Sequence, residues 1–389
     1  MLHVMIIGAG AIAGTHIESY LALKDRVSIA AIADVNAEKA QKLVEDYKLN
    51  ARSYSNYKDA LQQETIDIVS VCVPPSLHCK IAVDCLHAGK HVLLEKPMAS
   101  SLAECDAILE AAKSAHRLIS VVAQSRFISS TYNIKQLLED GICGKLLYSQ
   151  AYSAWWRGGC YYDLSWRGRW ETEGGGCTLN HAVHHIDLLT WMAGMPTEVT
   201  AIMTNLAHTN SEVEDLSMAL LRFENGSVGQ ITSSLVHHGE QQQMIFQTER
   251  AGISLPFDIQ CSKSLPNGFP EPDPLFAEEL SKKYHSLPPL QYEGHTGQIN
   301  HFIDAIENGT PLIADGIAGR NTVEVIMAIY KSASTGMPAK LPIQKDDPFY
   351  TQEGLQAAVP RYYQKIKSTD TQQSGKITLA SERFHSEKS

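Results

Sequence analysis

The chain has 389 residues, of which 44% are hydrophobic and 20% charged, a composition typical of a soluble globular protein and not of a disordered one. Its 33 basic and 43 acidic residues give a net charge of -10, which excludes a broad attraction to nucleic acid or to an anionic membrane. No apolar run reaches the roughly 18 residues of a membrane span, and the first residues lack the basic region of a signal peptide. Since the eight cysteines include no C-x-x-C pair, we expect reduced thiols and a cytoplasmic protein.

The first third of the chain alternates between continuous apolar runs and amphipathic segments. The predicted strands are Val4–Ile7, Val27–Ala33, Ile66–Val73, His91–Leu94 and Leu118–Ala123. The predicted helices are Ala11–Leu23, Leu77–Ala88 and a segment to Ala115 that begins at the capping box of Ser101 and Glu104. Such alternation indicates a parallel sheet covered on both faces, so we predict a doubly wound α/β domain.

From about Gln124 the pattern changes to strands with period-two alternation. These are Leu146–Ala154, Glu198–Thr204, Ser217–Phe223, Ser227–Ser233 and Met244–Thr248, with a hairpin signal at Glu224–Gly226. Two helices are predicted near His181–Met192 and Gln298–Asn308, a long irregular loop at 262–294, and a flexible tail over the last ~20 residues. We therefore predict an α+β second domain with a large, mostly antiparallel open sheet, and a division into residues 1–123, 124–345 and 346–389.

The segment Gly8–Ala13 reads Gly-Ala-Gly-Ala-Ile-Ala and fits the G-x-G-x-x-[G/A] pattern between a strand and a helix. Gly8 permits the tight turn, Gly10 lets the backbone approach a pyrophosphate, and the helix N-terminus supplies free N–H groups. Asp34 ends the second strand, where a carboxylate can bind both ribose hydroxyls and repel a 2′-phosphate. The pattern predicts NAD in preference to NADP; alternatively, Asp34 only caps the next helix.

Two further segments carry groups suited to proton transfer. Glu95-Lys96-Pro97 closes the predicted strand His91–Leu94, where a partly desolvated lysine loses its proton more easily and a cis Pro97 would aim it. The second segment, Gly174–Asp187, has three glycines that lead into a predicted helix.

On that helix Asn180, His184 and Asp187 share one face, and His181 and His185 form a separate i, i+4 pair. A neutral His184 would serve as general base while a hydride leaves carbon. His181 and His185 could instead ligate zinc, although the glutamate of H-E-x-x-H is absent, or could be hydrogen-bonded interior residues. We predict no metal site.

All five tryptophans lie between Trp155 and Trp191, next to several arginines. Aromatic faces suit pyranose rings, but the same residues could fill the seam between the domains. Nearby cationic or polar side chains that could reach an acidic sugar, a sugar phosphate or the pocket mouth are Arg157, Arg167, Arg169, His237 and His238.

These residues resemble the glucose–fructose oxidoreductase/inositol dehydrogenase family (Gfo/Idh/MocA) from Met1 to about Pro342. The motifs that carry the resemblance are the glycine turn, Val73-Pro-Pro-Ser-Leu-His78, Glu95-Lys-Pro97, Gln124-Ser-Arg126-Phe, Trp166-Arg167, the Gly174–Asp187 segment and Phe302–Gly309.

The resemblance implies a Rossmann domain followed by a sheet that lines the substrate pocket and builds dimers or tetramers. It implies that Lys96 contacts both nicotinamide ribose and substrate, and that His184 exchanges a proton with the substrate hydroxyl. Together with the glycine pattern, the expected cofactor contacts are Gly8, Gly10, Ala11, Ile12, Asp34, Val73, Pro74, Ser76, His78, Glu95, Lys96, Gln124, Trp166 and Arg167. The expected substrate contacts are Lys96, Arg126, Tyr161, Trp166, Asn180 and His184.

One position departs from the family pattern. Many sugar and inositol dehydrogenases of the family have Asp four residues before the histidine, where this chain has Asn180, which cannot carry negative charge. Lys96 and His184 then remain the main proton-handling pair.

We therefore expect an NAD-dependent oxidoreductase that acts on a secondary alcohol or ketone of a sugar, glycoside, sugar acid or cyclitol, as a homodimer or homotetramer. The alternatives are an NAD-retaining enzyme that cleaves glycosides by transient oxidation, and a non-catalytic regulator that binds the dinucleotide.

Overall fold

The first sheet of the computed structural model, which describes residues 1–369, has six strands in the order β3-β2-β1-β4-β5-β6, all parallel. Its strands are β1 (Leu2–Ile7), β2 (Val27–Ala33), β3 (Arg52–Tyr54), β4 (Ile68–Val71), β5 (His91–Leu94) and β6 (Ile119–Val121). This order reverses between β1 and β4, so it confirms the predicted doubly wound domain and places a ligand crevice at the carboxyl ends of the strands.

Five helices follow these strands: α1 (Ala13–Ala22), α2 (Ala37–Asp46), α3 (Tyr57–Gln63), α4 (His78–His87) and α5 (Leu102–Ser114). The side chain of Asn36 caps α2, and that of Ser101 accepts a hydrogen bond from Glu104 N to cap α5. The predicted capping box therefore marks the start of α5 correctly.

The second sheet has nine strands in the order β14-β13-β12-β11-β7-β10-β9-β8-β15 and is antiparallel except for the pair β7 and β10. Its strands are β7 (Leu146–Trp156), β8 (Glu198–Thr204), β9 (Leu216–Arg222), β10 (Val228–Ser234), β11 (Val236–Thr248), β12 (Ala251–Leu255), β13 (Asp258–Ser264), β14 (Pro270–Pro272) and β15 (Ala339–Lys340). The hairpin predicted at Glu224–Gly226 joins β9 to β10. The large, mostly antiparallel sheet is confirmed.

The helices of the second half are α6 (Ser129–Glu139), α7 (Trp170–Glu173), α8 (Cys177–Asn180), α9 (Val183–Ala193), α10 (Pro274–Ser286), α11 (Gly294–Asn308), α12 (Gly316–Thr335) and α13 (Gln352–Ala358). Of these, α9 and α12 pack on one face of the second sheet. None of the helices in residues 1–369 is both long and apolar enough to cross a membrane.

The irregular loop predicted for residues 262–294 is wrong, since this stretch contains the end of β13 and the whole of β14 and α10. Asp273 caps α10, and Phe276, Leu280 and Tyr284 bury one face of it at helical spacing. The ring of Tyr284 stacks on Phe257 at 3.4 Å between centroids. The surrounding Pro, Ser and charged residues obscured this narrow apolar stripe in the sequence.

Helix α11 packs on the first sheet, whereas the sequence analysis assigned it to the second domain. Ile299, Phe302 and Ile303 share a buried cluster with Val4 and Ile6 of β1. Helix α12 crosses between the domains and brings Gly319 against Val121. Helix α12 therefore links the two domains through its contacts with β6 and β8.

The chain after residue 345 returns to the second domain through α13 and an extended segment, whose last described residue is Thr369. Most of the predicted flexible tail, residues 370–389, lies outside the described residues. The division into 1–123, 124–345 and 346–389 remains our proposal.

Candidate active site

The glycine turn after β1 forms an open cradle at the start of α1. Gly8 has φ +102°, and a Cβ there would lie 2.3 Å from the carbonyl oxygen of Cys72. At Gly10 a Cβ would meet nothing within 4 Å, and the adjoining Ala11 is exposed. Ile12 precedes α1 without a side-chain cap, so the first N–H groups of α1 are available to an anion. The cradle fits the pyrophosphate of a dinucleotide.

The carboxylate of Asp34 joins this turn to the end of β2. Its Oδ2 accepts a hydrogen bond of 2.7 Å from Ala9 N and its Oδ1 one of 2.8 Å from Asn36 N. Asn36 itself caps α2, so Asp34 is not the cap of that helix. Asp34 therefore lies beside the glycine turn, with lone pairs left for ribose hydroxyls.

The loop after β4 is braced by a buried histidine. The ring nitrogens of His78 each lie 2.8 Å from a backbone carbonyl oxygen, Nδ1 from Pro97 and Nε2 from Val73. Pro74 and Ser76 lie between these anchors, in and before a short 3-10 turn at Pro75–Leu77. His78 thus fixes the loop through its backbone contacts. The Lys96–Pro97 bond is cis, as the sequence analysis expected.

Glu95 is the centre of a buried charge cluster behind Lys96. Its Oε1 lies 2.9 Å from His16 Nε2 and 3.9 Å from His295 Nε2. Burial works against both charges, but interactions with Cys72 and then with Glu95 raise the pKa of His16 to about 10, and the hydrogen bond from His16 lowers that of Glu95 to about 2. His16 and Glu95 therefore form an ion pair, and its carboxylate favours the charged form of Lys96.

Lys96 links the two domains. Its Nζ donates a hydrogen bond of 3.2 Å to the backbone oxygen of Asn180. Burial lowers the pKa of Lys96, against the opposing effect of Glu95 and with a smaller contribution from the cation of Arg167. Such a lysine releases a proton more easily than a solvated one.

The predicted continuous helix from Asn180 to Asp187 is wrong. α8 ends at Asn180 and α9 begins at Val183, so His181 and Ala182 form a break between them. Upstream of this break Glu214 holds the start of α8, because it accepts hydrogen bonds from Gly176 N and Thr178 N, and it also accepts one from the hydroxyl of Tyr330. The side chain of Asn180 turns back and donates to the oxygen of Gly175 at 2.9 Å.

His184 lies in the first turn of α9 and lines one small cavity with Lys96, Pro97, Ala123 and Asp187. Burial, followed by the charges of Lys96 and His185, lowers the pKa of His184 well below its ordinary value of 6.5. The imidazole is therefore neutral and can accept a proton at neutral pH.

Arg126 and Asp187 form a buried bidentate ion pair. Nε and Nη2 of Arg126 each lie 2.8 Å from a carboxylate oxygen of Asp187, and Nη1 donates to the backbone oxygen of Ile313 at 2.7 Å. The nearby Gln124 Oε1 is buried and has no hydrogen-bond partner among residues 1–369, as expected of a group that awaits a ligand. Arg126 is thus committed to holding α9, whereas Gln124 is free to contact a cofactor.

The segment of residues 158–169, which we call the aromatic segment, faces the histidine break. Tyr161 OH lies 3.3 Å from His181 Nε2, and the guanidinium of Arg167 lies 4.1 Å from the ring centroids of both Tyr161 and Trp166. Arg167 also forms an ion pair of 2.9 Å with the buried Glu173. These contacts place the ring of Tyr161 beside His181 and the guanidinium of Arg167 against that ring.

A second ion pair lies at the same wall. Arg157 Nη1 is 2.8 Å from Glu240 Oε1, and its guanidinium lies 5.1 Å from the ring of Trp155. Of the three arginines that suggested an acidic sugar, Arg157 and Arg167 therefore already have a carboxylate partner within this chain, whereas the buried Nε of Arg169 has no hydrogen-bond partner among residues 1–369.

The tryptophans are divided between packing and surface. Trp155 and Trp170 are buried, and Trp170 packs edge-on against Tyr330. Trp156 is 45% exposed and stacks on His238 at 5.7 Å. Only Trp156, Trp166 and Trp191 retain exposed ring surface.

The sequence analysis considered His181 and His185 as zinc ligands. His181 lies in the helix break and His185 in α9, and burial lowers the pKa of both. In residues 1–369 the only group of three ligand-type side chains close enough for one ion is His16, Glu95 and His295. There the 2.9 Å ion pair of His16 and Glu95 satisfies both partners without a metal.

Several functional neighbours carried no sequence signal. Glu173, Glu214 and Glu240 neutralise or orient site residues, yet each is an isolated carboxylate without a motif around it. His16 could have been found from its place on the buried face of α1, one turn after the glycine pattern.

Two family models match the chain. Residues 2–123 match the oxidoreductase family with an NAD-binding Rossmann fold, and residues 132–254 match the GFO/IDH/MocA C-terminal domain.

Named relatives span most of the chain at low identity. The D-glucoside 3-dehydrogenase of Escherichia coli is 24% identical over 370 residues, which are 87% of this chain and 97% of that protein. The levoglucosan dehydrogenase of Pseudarthrobacter phenanthrenivorans is 24% identical over 298 residues, 69% of this chain and 76% of that protein.

Solved structures share the fold. The WlbA dehydrogenase of Bordetella pertussis, in complex with NADH and UDP-GlcNAcA, superposes with a TM-score of 0.77 and 27% identity over 88% of this chain and 99% of that one. A levoglucosan dehydrogenase in complex with NADH gives a TM-score of 0.75 at 22% identity, over 88% of this chain and 100% of that one, and supports the fold alone.

Proposed function

The chain belongs to the GFO/IDH/MocA oxidoreductase family, whose first domain binds NAD, and from this premise we propose that it transfers a hydride between the nicotinamide and a secondary alcohol or ketone of a sugar or cyclitol. The observation that carries the proposal is the convergence of Lys96, from the nucleotide-binding sheet, and His184, from the second domain, on one cavity. The relatives named for glucosides and levoglucosan point to the same class of substrate.

We assign binding of the dinucleotide to the open end of the first sheet. The glycine turn and the N-terminus of α1 would hold the pyrophosphate, and the Asp34 carboxylate would accept hydrogen bonds from the ribose hydroxyls of NAD. A 2′-phosphate would meet the negative charge of Asp34, which disfavours NADP. The buried, unpaired Gln124 Oε1 suits a donor such as the carboxamide of the nicotinamide.

We assign proton transfer to His184. When bound, NAD accepts the hydride from the carbon that bears the hydroxyl. The neutral imidazole of His184 removes the hydroxyl proton in that direction and returns it in the reverse direction.

Lys96 orients and polarises the reacting oxygen in this proposal. Its ammonium group is directed by the Asn180 oxygen and retained by the charge of Glu95. A cation at this position stabilises the negative charge that develops on the substrate oxygen.

Arg126, expected from the sequence to bind substrate, has a positioning role in this account. Its guanidinium is bound to Asp187 and Ile313, so it holds the helix that carries His184. Tyr161 and Trp166 remain the proposed contacts on the far side of the sugar ring. Arg167, expected from the sequence to contact the cofactor, is added to them because its guanidinium lies against both of their rings.

We propose that the substrate ring is uncharged. Arg157 and Arg167 each have an internal carboxylate partner, Glu240 and Glu173. An anionic substrate would be repelled by these carboxylates or would have to displace them from the arginines. Glu240→Gln would leave Arg157 unpaired and should improve turnover of sugar acids relative to neutral sugars.

A homodimer or homotetramer is the proposed assembly. The outer face of the second sheet exposes Ile202, Met218 and Leu220 on the neighbouring strands β8 and β9, where Ile202 lies directly opposite Met218. An apolar patch of this kind on an open sheet favours a self-complementary interface.

The experiment is a panel of neutral sugars, glycosides, cyclitols and sugar acids incubated with NAD, with reduced nicotinamide detected by absorbance. We expect turnover of a neutral member, loss of turnover in His184→Ala, and NAD binding unchanged in that variant. Cleavage of a glycoside without net reduction would instead support the NAD-retaining alternative. Full turnover in His184→Ala would contradict the assignment of the base.

A further inference from the structure

An extended segment at residues 360–369, which we call the C-terminal strap, crosses the second domain and reaches the aromatic segment. Neither matched family model covers it. Thr369 N donates to the oxygen of Asp163 at 2.7 Å, and Ser165 N donates to the oxygen of Thr369 at 2.9 Å. The strap thus pairs, strand-like, with the segment that carries Tyr161 and Arg167.

Asn210 fastens the two segments together. Its Oδ1 accepts hydrogen bonds from Ile366 N at 2.8 Å and Lys367 N at 2.9 Å, while its Nδ2 donates to Asp163 Oδ1 at 2.9 Å. The Nδ2 also lies 3.2 Å from the oxygen of Tyr162. One amide therefore satisfies backbone groups of the strap and polar groups of the aromatic segment together.

Lys365 inserts its side chain between them. The residue is only 6% exposed, and its Nζ donates to the backbone oxygen of Tyr162. Burying a cation is costly unless it gains a specific partner, so this contact is a defined anchor. Lys367, two residues on, is exposed and contributes only its backbone.

The strap is fixed at its other end as well. Tyr362 OH donates to the oxygen of Met203 in β8 at 2.8 Å, and Trp170 Nε1 donates to the oxygen of Pro360 at 3.0 Å. Arg361 forms an ion pair of 2.5 Å with Glu212. The strap therefore connects the second sheet and α7 to the aromatic segment.

We propose that the C-terminal strap, through Lys365 and Asn210, positions Tyr161 and Arg167 for binding of the sugar. Tyr161 is the residue next to the carbonyl that Lys365 holds, and it bears both the contact to His181 and the ring under Arg167. The inference rests on the proposed function, because it assumes that these side chains face the sugar. Lys365 and Asn210 are positioning residues, since neither reaches Lys96 or His184 in the described contacts.

The test compares Lys365→Met, which keeps the aliphatic stem but loses the ammonium group, with Lys367→Met as the matched control. We expect Lys365→Met to raise the KM for the sugar about 10-fold while kcat changes less than about 2-fold, because substrate placement is lost and not the chemistry. The dissociation constant for NADH and the Tm should equal those of the control. Amide hydrogen exchange at residues 159–168 should become faster in Lys365→Met only.

Asn210→Ala provides a second, independent variant and should reproduce the same KM increase and the same faster exchange. An unchanged KM in both variants, or equal exchange in Lys365→Met and Lys367→Met, would overturn the proposal. A comparable weakening of NADH binding would also overturn it, since it would indicate a general structural role. Absence of sugar turnover in the unmodified protein would instead refute the proposed function, and the exchange comparison would still decide whether the strap restrains the aromatic segment.

Discussion

Lys96 Nζ donates a hydrogen bond of 3.2 Å to the backbone oxygen of Asn180, so the first domain supplies the cation and the second domain supplies its acceptor. The side chain of Asn180 is directed away, to the oxygen of Gly175. In this chain the lysine is therefore oriented by a carbonyl dipole, and the nearest negative charge is that of Glu95.

The variant Asn180→Asp adds a carboxylate to the residue whose backbone oxygen accepts from this lysine. A carboxylate cannot donate to the oxygen of Gly175 as the amide does, so its side chain is released to turn toward the ammonium group. An opposite charge at short range favours the ammonium form and raises the pKa of Lys96. We expect the alkaline limb of the kcat/KM profile to move to higher pH by about one unit. Asn308→Asp, an exposed residue at the end of α11, is the control for the added charge. A profile that stays in place or moves to lower pH would contradict the role given to Lys96.

The low pKa of His184 predicts the acid limb of alcohol oxidation. A histidine at its ordinary value would be half protonated at pH 6.5, and protonation removes the base. Because burial lowers this pKa, kcat/KM should stay constant as pH falls through 6.5 and decline only at lower pH. The measurement is kcat/KM between about pH 5 and 9. A fall of kcat/KM to half its maximum near pH 6.5 would show that His184 is not the base, or that burial does not lower its pKa.

Asp34→Ala tests the cofactor preference. Loss of the carboxylate removes the acceptor for the ribose hydroxyls and the repulsion of a 2′-phosphate. We expect NAD to bind about 10-fold more weakly, since two charge-assisted hydrogen bonds are lost, and the ratio of NADP to NAD affinity to rise. Glu38→Ala, in the exposed first turn of α2, controls for the change in local charge. An unaltered NADP to NAD ratio would place the ribose elsewhere.

The pair of Arg126 and Asp187 should carry stability as well as position. Asp187→Asn leaves the buried guanidinium uncompensated, which costs about 3 kcal/mol of unfolding free energy. The exposed i, i+4 pair of Lys42 and Asp46 offers the comparison Asp46→Asn, which should cost less than about 0.5 kcal/mol. Chemical denaturation of both variants measures the difference. Equal losses of unfolding free energy in the two variants would mean that leaving the buried guanidinium of Arg126 without its carboxylate carries no additional cost.

The residues that we propose for the nucleotide site could be predicted from the sequence because they are local to strand ends. The glycine turn, the carboxylate at the end of β2 and Glu95-Lys96-Pro97 each lie within a few residues of a strand end, and a parallel sheet brings strand ends to one edge. The same logic predicted the first domain and the alternating strands of the second.

The rest depends on partners that are distant along the chain. Glu240 is 83 residues from Arg157, and Lys365 is 203 residues from Tyr162, so no spacing pattern reports these contacts. The break between α8 and α9 was missed because side chains spaced i, i+3 and i, i+4 look the same in the sequence whether one helix continues or a second helix starts within the segment. Periodicity describes one element at a time, whereas these features arise when elements pack.

Transfer of deuterium tests the central claim most directly. The protein is incubated with NAD and with neutral sugars that carry deuterium on every ring carbon, and the reduced nicotinamide is analysed by mass spectrometry. The account predicts reduced cofactor that is heavier by the mass of one deuterium, and none from His184→Ala. Reduced cofactor without the label, or no reduced cofactor from any neutral sugar while NAD is bound, would contradict direct hydride transfer from a sugar carbon.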